Sequence, residues 1–308
     1  MSYALITGAA GFVGTALSRR LIADGVRVIG IDDLSTGTLE NVPSEVEFIE
    51  GDVADPRVLH QLPSGVSTVF HLAGQSSGEI SFDDPVGDLH RNVVTTLRLI
   101  EWCADHEAPR LVLASSMSVY GQQDDPVRVV ESSLTRPLSC YGVGKLAAEH
   151  YLHVYRDRVP SVALRMFNTY GPGQDLDNLR QGMVSIFVAQ AVREGRIVVK
   201  GSLDRFRDLV HIDDMVEVWV RAGREDNAVG RVLNVGSGVR TSVGELTSMI
   251  STAVGGCPIE TTSGTPGDQF GITASTEQLS TQLNFVPRPI TMDLVKEFCA
   301  HASDLLSQ

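Results

Sequence analysis

The sequence predicts an α/β fold, a doubly wound parallel sheet followed by a smaller α/β C-terminal region. Three observations predict it. Short apolar strands alternate with helical stretches, a glycine loop joins the first strand to the first helix, and the second strand ends in acids. The first strand is Tyr3-Ala-Leu-Ile-Thr7, followed by Gly8-Ala-Ala-Gly11-Phe-Val-Gly14 and a helical pattern over 12–24. The second, Val28-Ile-Gly-Ile31, runs into Asp32 and Asp33. Further strands are expected at Val46–Ile49, Thr68–Leu72, Arg110–Ala114 and Ser161–Met166, with helices over 90–106, 141–157 and 181–194. Pro, Gly and Asp cluster between 171 and 179, so the chain is expected to leave its first domain there. The division expected is 1–167 and 168–308, with segments near 209–235 returning to the first part. Leu209–Ile212 and Val232–Val235 read as strands. Asp213 is expected to cap a helix through about 223, and helices recur near 242–254 and 291–306.

Strand, glycine loop, helix, strand and acid in this register form a dinucleotide site of the Rossmann type. Gly8 permits the tight turn, Gly11 lets the backbone approach a pyrophosphate, and Gly14 lets helix and strand pack closely. The helix N-terminus offers free N–H groups and a positive dipole end. Asp32 and Asp33 can bind ribose hydroxyls and would repel a 2′-phosphate. No Arg or Lys lies between Asp33 and Glu40, so NAD is expected rather than NADP.

The chain has 308 residues, enough for one large domain or two small ones. A net charge of −13 argues against a nucleic-acid surface, which wants clustered cations. Cys103, Cys140, Cys257 and Cys299 are widely spaced, without CxxC or a metal-spaced His, so no metal is expected and free thiols in a cytoplasmic setting are. The first residues already read as a core strand, so no leader is expected, and no apolar run approaches the length of a membrane span.

Tyr141 and Lys145 stand four apart at the start of a helical stretch and share one face. Ser115-Ser116-Met-Ser118 follows directly on the fifth strand, placing hydroxyl donors at a strand end that faces the cofactor. A free phenol titrates near 10, so Tyr141 needs a neighbouring ammonium and a cationic nicotinamide to act as a base. Lys145, one of only three lysines with Lys200 and Lys296, can also hold the ribose. His71, at the end of a buried strand, reads as structurally satisfied, Trp102 and Trp219 as core, and Glu149 as a surface or ion-pair residue.

With these segments stand Gly51-Asp52-Val53, Phe70-His-Leu-Ala73, Asn92, Ser115-Ser116-Met-Ser-Val-Tyr-Gly121, Leu164-Arg-Met-Phe-Asn168, Tyr170-Gly-Pro-Gly173, Arg207-Asp208 and Asn234-Val-Gly236. Together they resemble the extended short-chain dehydrogenase/reductases, and among them the nucleotide-sugar epimerase/dehydratase group, over essentially the whole chain. The resemblance implies that Tyr141 is the acid/base, that Lys145 binds the nicotinamide ribose, and that Ser116 bonds the reacting sugar hydroxyl. It implies a cofactor set of Gly8, Gly11, Phe12, Val13, Gly14, Asp32, Asp33, Asp52, Val53, Leu72, Ala73, Gln75, Asn92, Ser115, Tyr141, Lys145 and Met166. It implies a substrate set of Ser116, Ser118, Tyr141, Asn168, Val184, Phe187, Lys200, Arg207, Asp268 and Ile272. Asn168 and Arg207 would serve the diphosphate, a task suited to a planar, permanent cation.

Two positions narrow the reaction. Dehydratases of the group carry Asp-Glu directly after the Ser/Thr, and decarboxylases carry Glu at the second position. Met117 and Ser118 stand there. What remains is oxidation and re-reduction at one carbon, so a UDP-hexose 4-epimerase is expected. The alternatives are another nucleotide-sugar enzyme, such as a 4,6- or 5,6-dehydratase or an epimerase of a modified sugar, and a non-catalytic NAD-binding regulator. UDP is suggested by the resemblance of Gly182-Met-Val-Ser-Ile-Phe187 to the nucleotide-facing segment of UDP-hexose epimerases. Thr265 replaces an Arg usual two residues before Gly267-Asp268, leaving one diphosphate contact open or filled by Arg205 or Arg180. Asp175 falls where glucuronate epimerases carry Arg, against an acidic sugar. A homodimer is expected through the helices at 90–106 and 141–157, on Val93, Val94, Leu97, Ile100 and Trp102 with Leu146, Ala147, Tyr151, Leu152 and Tyr155.

Overall fold

The structure is a computed structural model that describes residues 3–107, 109–123, 128–180, 182–264 and 270–306. Its centre is a seven-stranded, all-parallel sheet of β1 (Tyr3–Thr7), β2 (Arg27–Asp32), β3 (Glu47–Glu50), β4 (Val66–His71), β5 (Arg110–Ser116), β6 (Ser161–Met166) and β7 (Val232–Val235). The spatial order is β7-β6-β5-β4-β1-β2-β3. The direction of winding reverses between β1 and β4, and the crevice at the C-terminal ends of such a pair is where sheets of this kind take ligands. There Thr7 Oγ1 and His71 Nδ1 lie 2.7 Å apart, tying the two strand ends together.

Strands covered on both faces should be apolar in their interiors, and β1, β2, the middles of β5 and β6 and Val69 and Phe70 of β4 are, whereas the edge strand β3 carries exposed Glu47 and Glu50. Ala4, Ile6, Phe70, Val112 and Leu164 point to one side, against the helices Phe12–Ala23 and Ile212–Arg224. Leu5, Val69, Leu111, Leu113 and Ala163 point to the other, against Thr95–Asp105 and Cys140–Val154. A third cluster lies among the helices Met183–Glu194, Val243–Ala253 and Met292–Leu306, with Phe187, Val188, Leu246 and Phe298 at its centre. Short pairings the sequence did not suggest complete this part. Asn168–Tyr170 pairs with Leu209–His211, and Ile197–Lys200 with Ile259–Thr262.

Two expectations are corrected. The helix after Leu209 starts at Ile212 and its N-cap is His211, whose Nδ1 accepts from the Asp213 N–H at 3.4 Å; Asp213 lies inside the first turn. The helix expected from 90 begins at Pro85 and passes through a π turn at His90–Val94. The surface expected to pair two copies also differs in detail. Val93, Ile100, Trp102 and Leu152 are buried in the chain's own core. The exposed apolar side chains of that face are Val143, Tyr151 and Val154 on the helix Cys140–Val154, beside Phe82, Val86 and Leu89. No helix among the described residues is long and apolar enough to cross a membrane.

Candidate functional site

The glycine loop forms a cradle with an opening in one place. A Cβ on Gly14 would stand 2.0 Å from the Gly8 carbonyl oxygen, and one on Gly8 2.7 Å from the Ala73 nitrogen. A Cβ on Gly11 would meet only the Gly8 oxygen, at 3.4 Å. Gly8 and Gly14 are therefore closed by the fold itself, while the space beside Gly11 is left for another group. Gly11 is the N-cap of Phe12–Ala23 and no side chain caps it, so the amides of Phe12, Val13 and Gly14 point toward that space with the dipole. Donors, dipole and opening fit a dinucleotide pyrophosphate.

Asp32 is buried and its carboxylate ties the loop to β2, accepting from the Ala10 N–H and the Leu34 N–H, both at 2.9 Å. Burial pushes its carboxyl up, and these two N–H groups pull it back. Asp33 is exposed and accepts from the backbone N–H and hydroxyl of Ser35. Asp52 is exposed and accepts from the Ala54 N–H at 2.8 Å, with Val53 buried beside it. Leu72, Ala73 and Gln75 follow β4, and the Gln75 side chain folds back onto the backbone of Ser77.

The proton-handling candidates meet at the C-terminal end of β5. Ser139 caps the helix Cys140–Val154 through the Gly142 N–H at 3.1 Å, which sets Tyr141 and Lys145 on one inward face. Tyr141 and Lys145 are both buried, with the Lys145 Nζ 5.7 Å from the Tyr141 ring centroid. Burial raises the Tyr141 phenol, opposed by a hydrogen bond with Ser116. Burial brings the Lys145 ammonium down to about 8. Ser116 Oγ in turn donates to Ser118 Oγ at 3.1 Å. Met166 ends β6 alongside Ser116, its partner in the sheet register.

Ser115 faces the other way. Its hydroxyl donates to Glu149, and Glu149 is buried in an ion pair with Arg165 at 2.9 and 2.7 Å. Arg165 also donates to the Tyr120 hydroxyl at 2.8 Å, and Tyr120 to Asn234 Oδ1 at 2.6 Å. Any contact of Ser115 with the cofactor therefore belongs to its backbone. This buried brace joins β5, β6, β7 and the helix that carries Tyr141. His71 is held between Thr7 and Thr96 and driven down to about 3 by burial, so it is neutral and structural as expected.

On the C-terminal side, Arg207 donates to the Phe206 and Phe270 carbonyls at 2.8 and 3.3 Å. Burial and the adjacent Arg205 press its guanidinium down to about 10, an environment that favours an anion. The next residue, Asp208, is fully buried and accepts from Ser237, Gly238 and Ala274, fixing the strand that presents Arg207. Asn168 has a buried amide oxygen without a partner. Val184 and Phe187 are buried on Met183–Glu194, Lys200 is exposed at the end of its strand, and Ile272 is packed into the main core. Asp268 and Thr265 lie outside the described residues. Arg180 pairs with Glu79 and Asp83, each at 2.9 Å, and Arg205, beside Arg207, donates to the Ser202 and Lys200 carbonyls. Sequence reasoning missed the Glu149–Arg165 brace, the Asp208 hub, and Asp88, a buried carboxylate acting on both Tyr141 and Lys145.

Residues 4–236 match the NAD dependent epimerase/dehydratase family. A UDP-glucose 4-epimerase of Mycolicibacterium smegmatis is 40% identical over 261 residues, 82% of each chain. The crystal structure of a UDP-glucose 4-epimerase from Thermotoga maritima with UDP-glucose superposes with a TM-score of 0.93 at 27% identity, covering 99% of both chains. That of Thermus thermophilus UDP-glucose 4-epimerase with NAD gives 0.86 at 30% identity, covering 97% of this chain and 98% of that one.

Proposed function

The chain belongs to the NAD dependent epimerase/dehydratase family and is an NAD-binding enzyme of nucleoside-diphosphate sugars, within which we propose that it epimerises a UDP-hexose at C4 through a transient 4-keto sugar. The observation that carries this reading is the run Ser116-Met117-Ser118 at the end of β5. Elimination of water needs a further acid and base, which the 4,6-dehydratases this chain resembles carry directly after the serine. A thioether stands there instead, followed by a hydroxyl already bonded to Ser116. Simple oxidation and reduction at one carbon needs neither.

The Gly8–Gly14 loop and Lys145 would hold NAD, which would supply the hydride acceptor and donor for C4. Tyr141 receives the proton of the sugar O4, and Ser116, in contact with Tyr141, bonds the same hydroxyl. Burial and the nearby Asp88 carboxylate favour the protonated phenol, so the ammonium of Lys145 is needed to stabilise the phenolate. Lys145 also holds the ribose. Asn168, Arg207, Val184, Phe187, Lys200 and Asp268 serve the nucleotide and diphosphate end, whereas Ile272, expected in the substrate set, is 1% exposed in the main core and too buried to touch the sugar. With that end anchored, the keto sugar can turn its other face toward the cofactor, and Tyr141 returns the proton to O4. The test is incubation of the purified protein with UDP-glucose, UDP-galactose and their N-acetylated counterparts, followed by NMR. An isomer of unchanged mass supports the reading. A keto product lighter by one water would make the enzyme a dehydratase.

A further inference from the structure

We propose that Asp88 is a positioning residue for this reaction, a buried carboxylate that fixes the Asn92 amide by a hydrogen bond and whose charge steadies the Lys145 ammonium beside Tyr141. The inference rests on Tyr141 and Lys145 being the proton-handling pair. Asp88 is 1% exposed, on the short helix Pro85–Leu89. Its Oδ1 accepts from Asn92 Nδ2 at 3.2 Å. Its Oδ2 and the Asn92 Oδ1 are buried without any hydrogen-bond partner. A carboxylate out of water is costly unless a cation answers it.

The cation at hand is Lys145, 4% exposed, with three N–H donors. The three side chains share one small space. A Cβ on Gly74 would stand 2.6 Å from Asn92 Oδ1 and 3.3 Å from Lys145 Nζ. A Cβ on Gly144, next to Lys145 in the catalytic helix, would stand 3.5 Å from Asp88 Oδ2 and 3.2 Å from Asn92 Cβ. The π turn at His90–Val94 contains Asn92, and such turns recur where a helix carries a functional side chain.

The charges around this space are few. Lys145, Arg91 and Asp84 act on Asp88; Asp88 acts on Lys145; Asp88 and the Ser116 hydroxyl act on Tyr141. From β4, His71 faces Lys145 and stays neutral. A carboxylate here favours the charged ammonium and disfavours the phenolate. Removing it should lower the titration midpoints of both Lys145 and Tyr141.

The experiment follows the ultraviolet phenolate absorbance of the NAD-loaded enzyme against pH, with Tyr141→Phe as baseline. In Asp88→Asn the Tyr141 midpoint should fall by about one pH unit. A purely structural role would lower the melting temperature and leave the midpoint in place, and that result would overturn the proposal. Because the single variant strands a buried ammonium, a second pair is measured. Asp88→Asn/Lys145→Met should titrate below Lys145→Met by a similar amount, and coincident midpoints would equally overturn it. The titration needs no sugar. A protein that shows the shift yet leaves UDP-hexoses unchanged would fail the proposed function and keep this role for Asp88.

Discussion

Glu149→Gln is expected to be among the most damaging isosteric substitutions outside the cofactor cradle. In the native chain its carboxylate accepts from Arg165 at 2.9 and 2.7 Å and from the Ser115 hydroxyl, with the two ionic side chains 5% and 6% exposed. Glutamine keeps the shape but removes the charge and turns an NH2 group toward the guanidinium or the serine. Leaving one member of a buried pair uncompensated costs about 3–5 kcal/mol, set against a total stability of roughly 5–15 kcal/mol. The double variant Glu149→Leu/Arg165→Met strands no charge and should lose less. Its remaining loss would come from the Tyr120 hydroxyl and Glu131 carbonyl that Arg165 also serves. Turnover should fall with stability, because Glu149 lies about two turns beyond Tyr141 on the same helix. Thermal and urea unfolding at saturating NAD measure the first effect and steady-state kinetics the second. A Glu149→Gln protein within about 1 kcal/mol of wild type, or a double variant worse than the single, would refute the reasoning.

Arg207→Ala should weaken UDP binding by about 1.5–3 kcal/mol, the scale of a hydrogen bond to a charged group, and leave NAD affinity unchanged; calorimetric titration with both ligands decides whether Arg207 serves the diphosphate or the scaffold. Lys145, brought down to about 8, is charged below that pH and neutral above it. kcat/KM, which reports the free enzyme, should therefore decline as pH rises through about 8, and a profile flat to pH 10 would remove the ammonium from the chemistry. Val143, Tyr151 and Val154 form an exposed apolar stripe on the catalytic helix, and two copies related by a two-fold axis would cover it on both. Val154→Asp should then dissociate a dimer and lower activity, whereas light scattering that shows a fully active wild-type monomer at micromolar concentration would end this reading.

Much of the fold was legible because its signals are local. Tyr3–Thr7, Ser161–Met166 and Val232–Val235 are apolar runs bounded by turn residues, and the structure has the same strands. The glycine loop was readable because each glycine answers a separate steric demand at Gly8, Gly11 and Gly14. The C-terminal pairings were not. Ile259–Thr262 joins Ile197–Lys200 across some sixty residues, and its own sequence, with Glu260 and two threonines, has no apolar alternation. Helix starts failed where a side chain competed with a stronger candidate. Asp213 is the expected cap by type, yet His211 is held by the strand before it and reaches the N–H first. The Glu149–Arg165 brace was invisible for a different reason. Glu149 read as a surface or ion-pair residue and Arg165 only as part of a strand, and only the parallel register that sets Arg165 beside Ser115 brings them into one buried cluster. Asp88 falls in the same class, since its burial comes from the packing of the helix Pro85–Leu89 against the catalytic helix.

The most direct measurement of the central proposal is the fate of hydrogen at C4. UDP-glucose carrying deuterium at C4 is incubated with the purified enzyme, and the UDP-galactose formed is read by NMR. If hydride leaves and returns at one carbon with Tyr141 moving only the O4 proton, the product keeps its deuterium at C4 and takes up none from solvent. Loss of the label to water, or a product lighter by one water molecule, would contradict epimerisation through a transient 4-keto sugar.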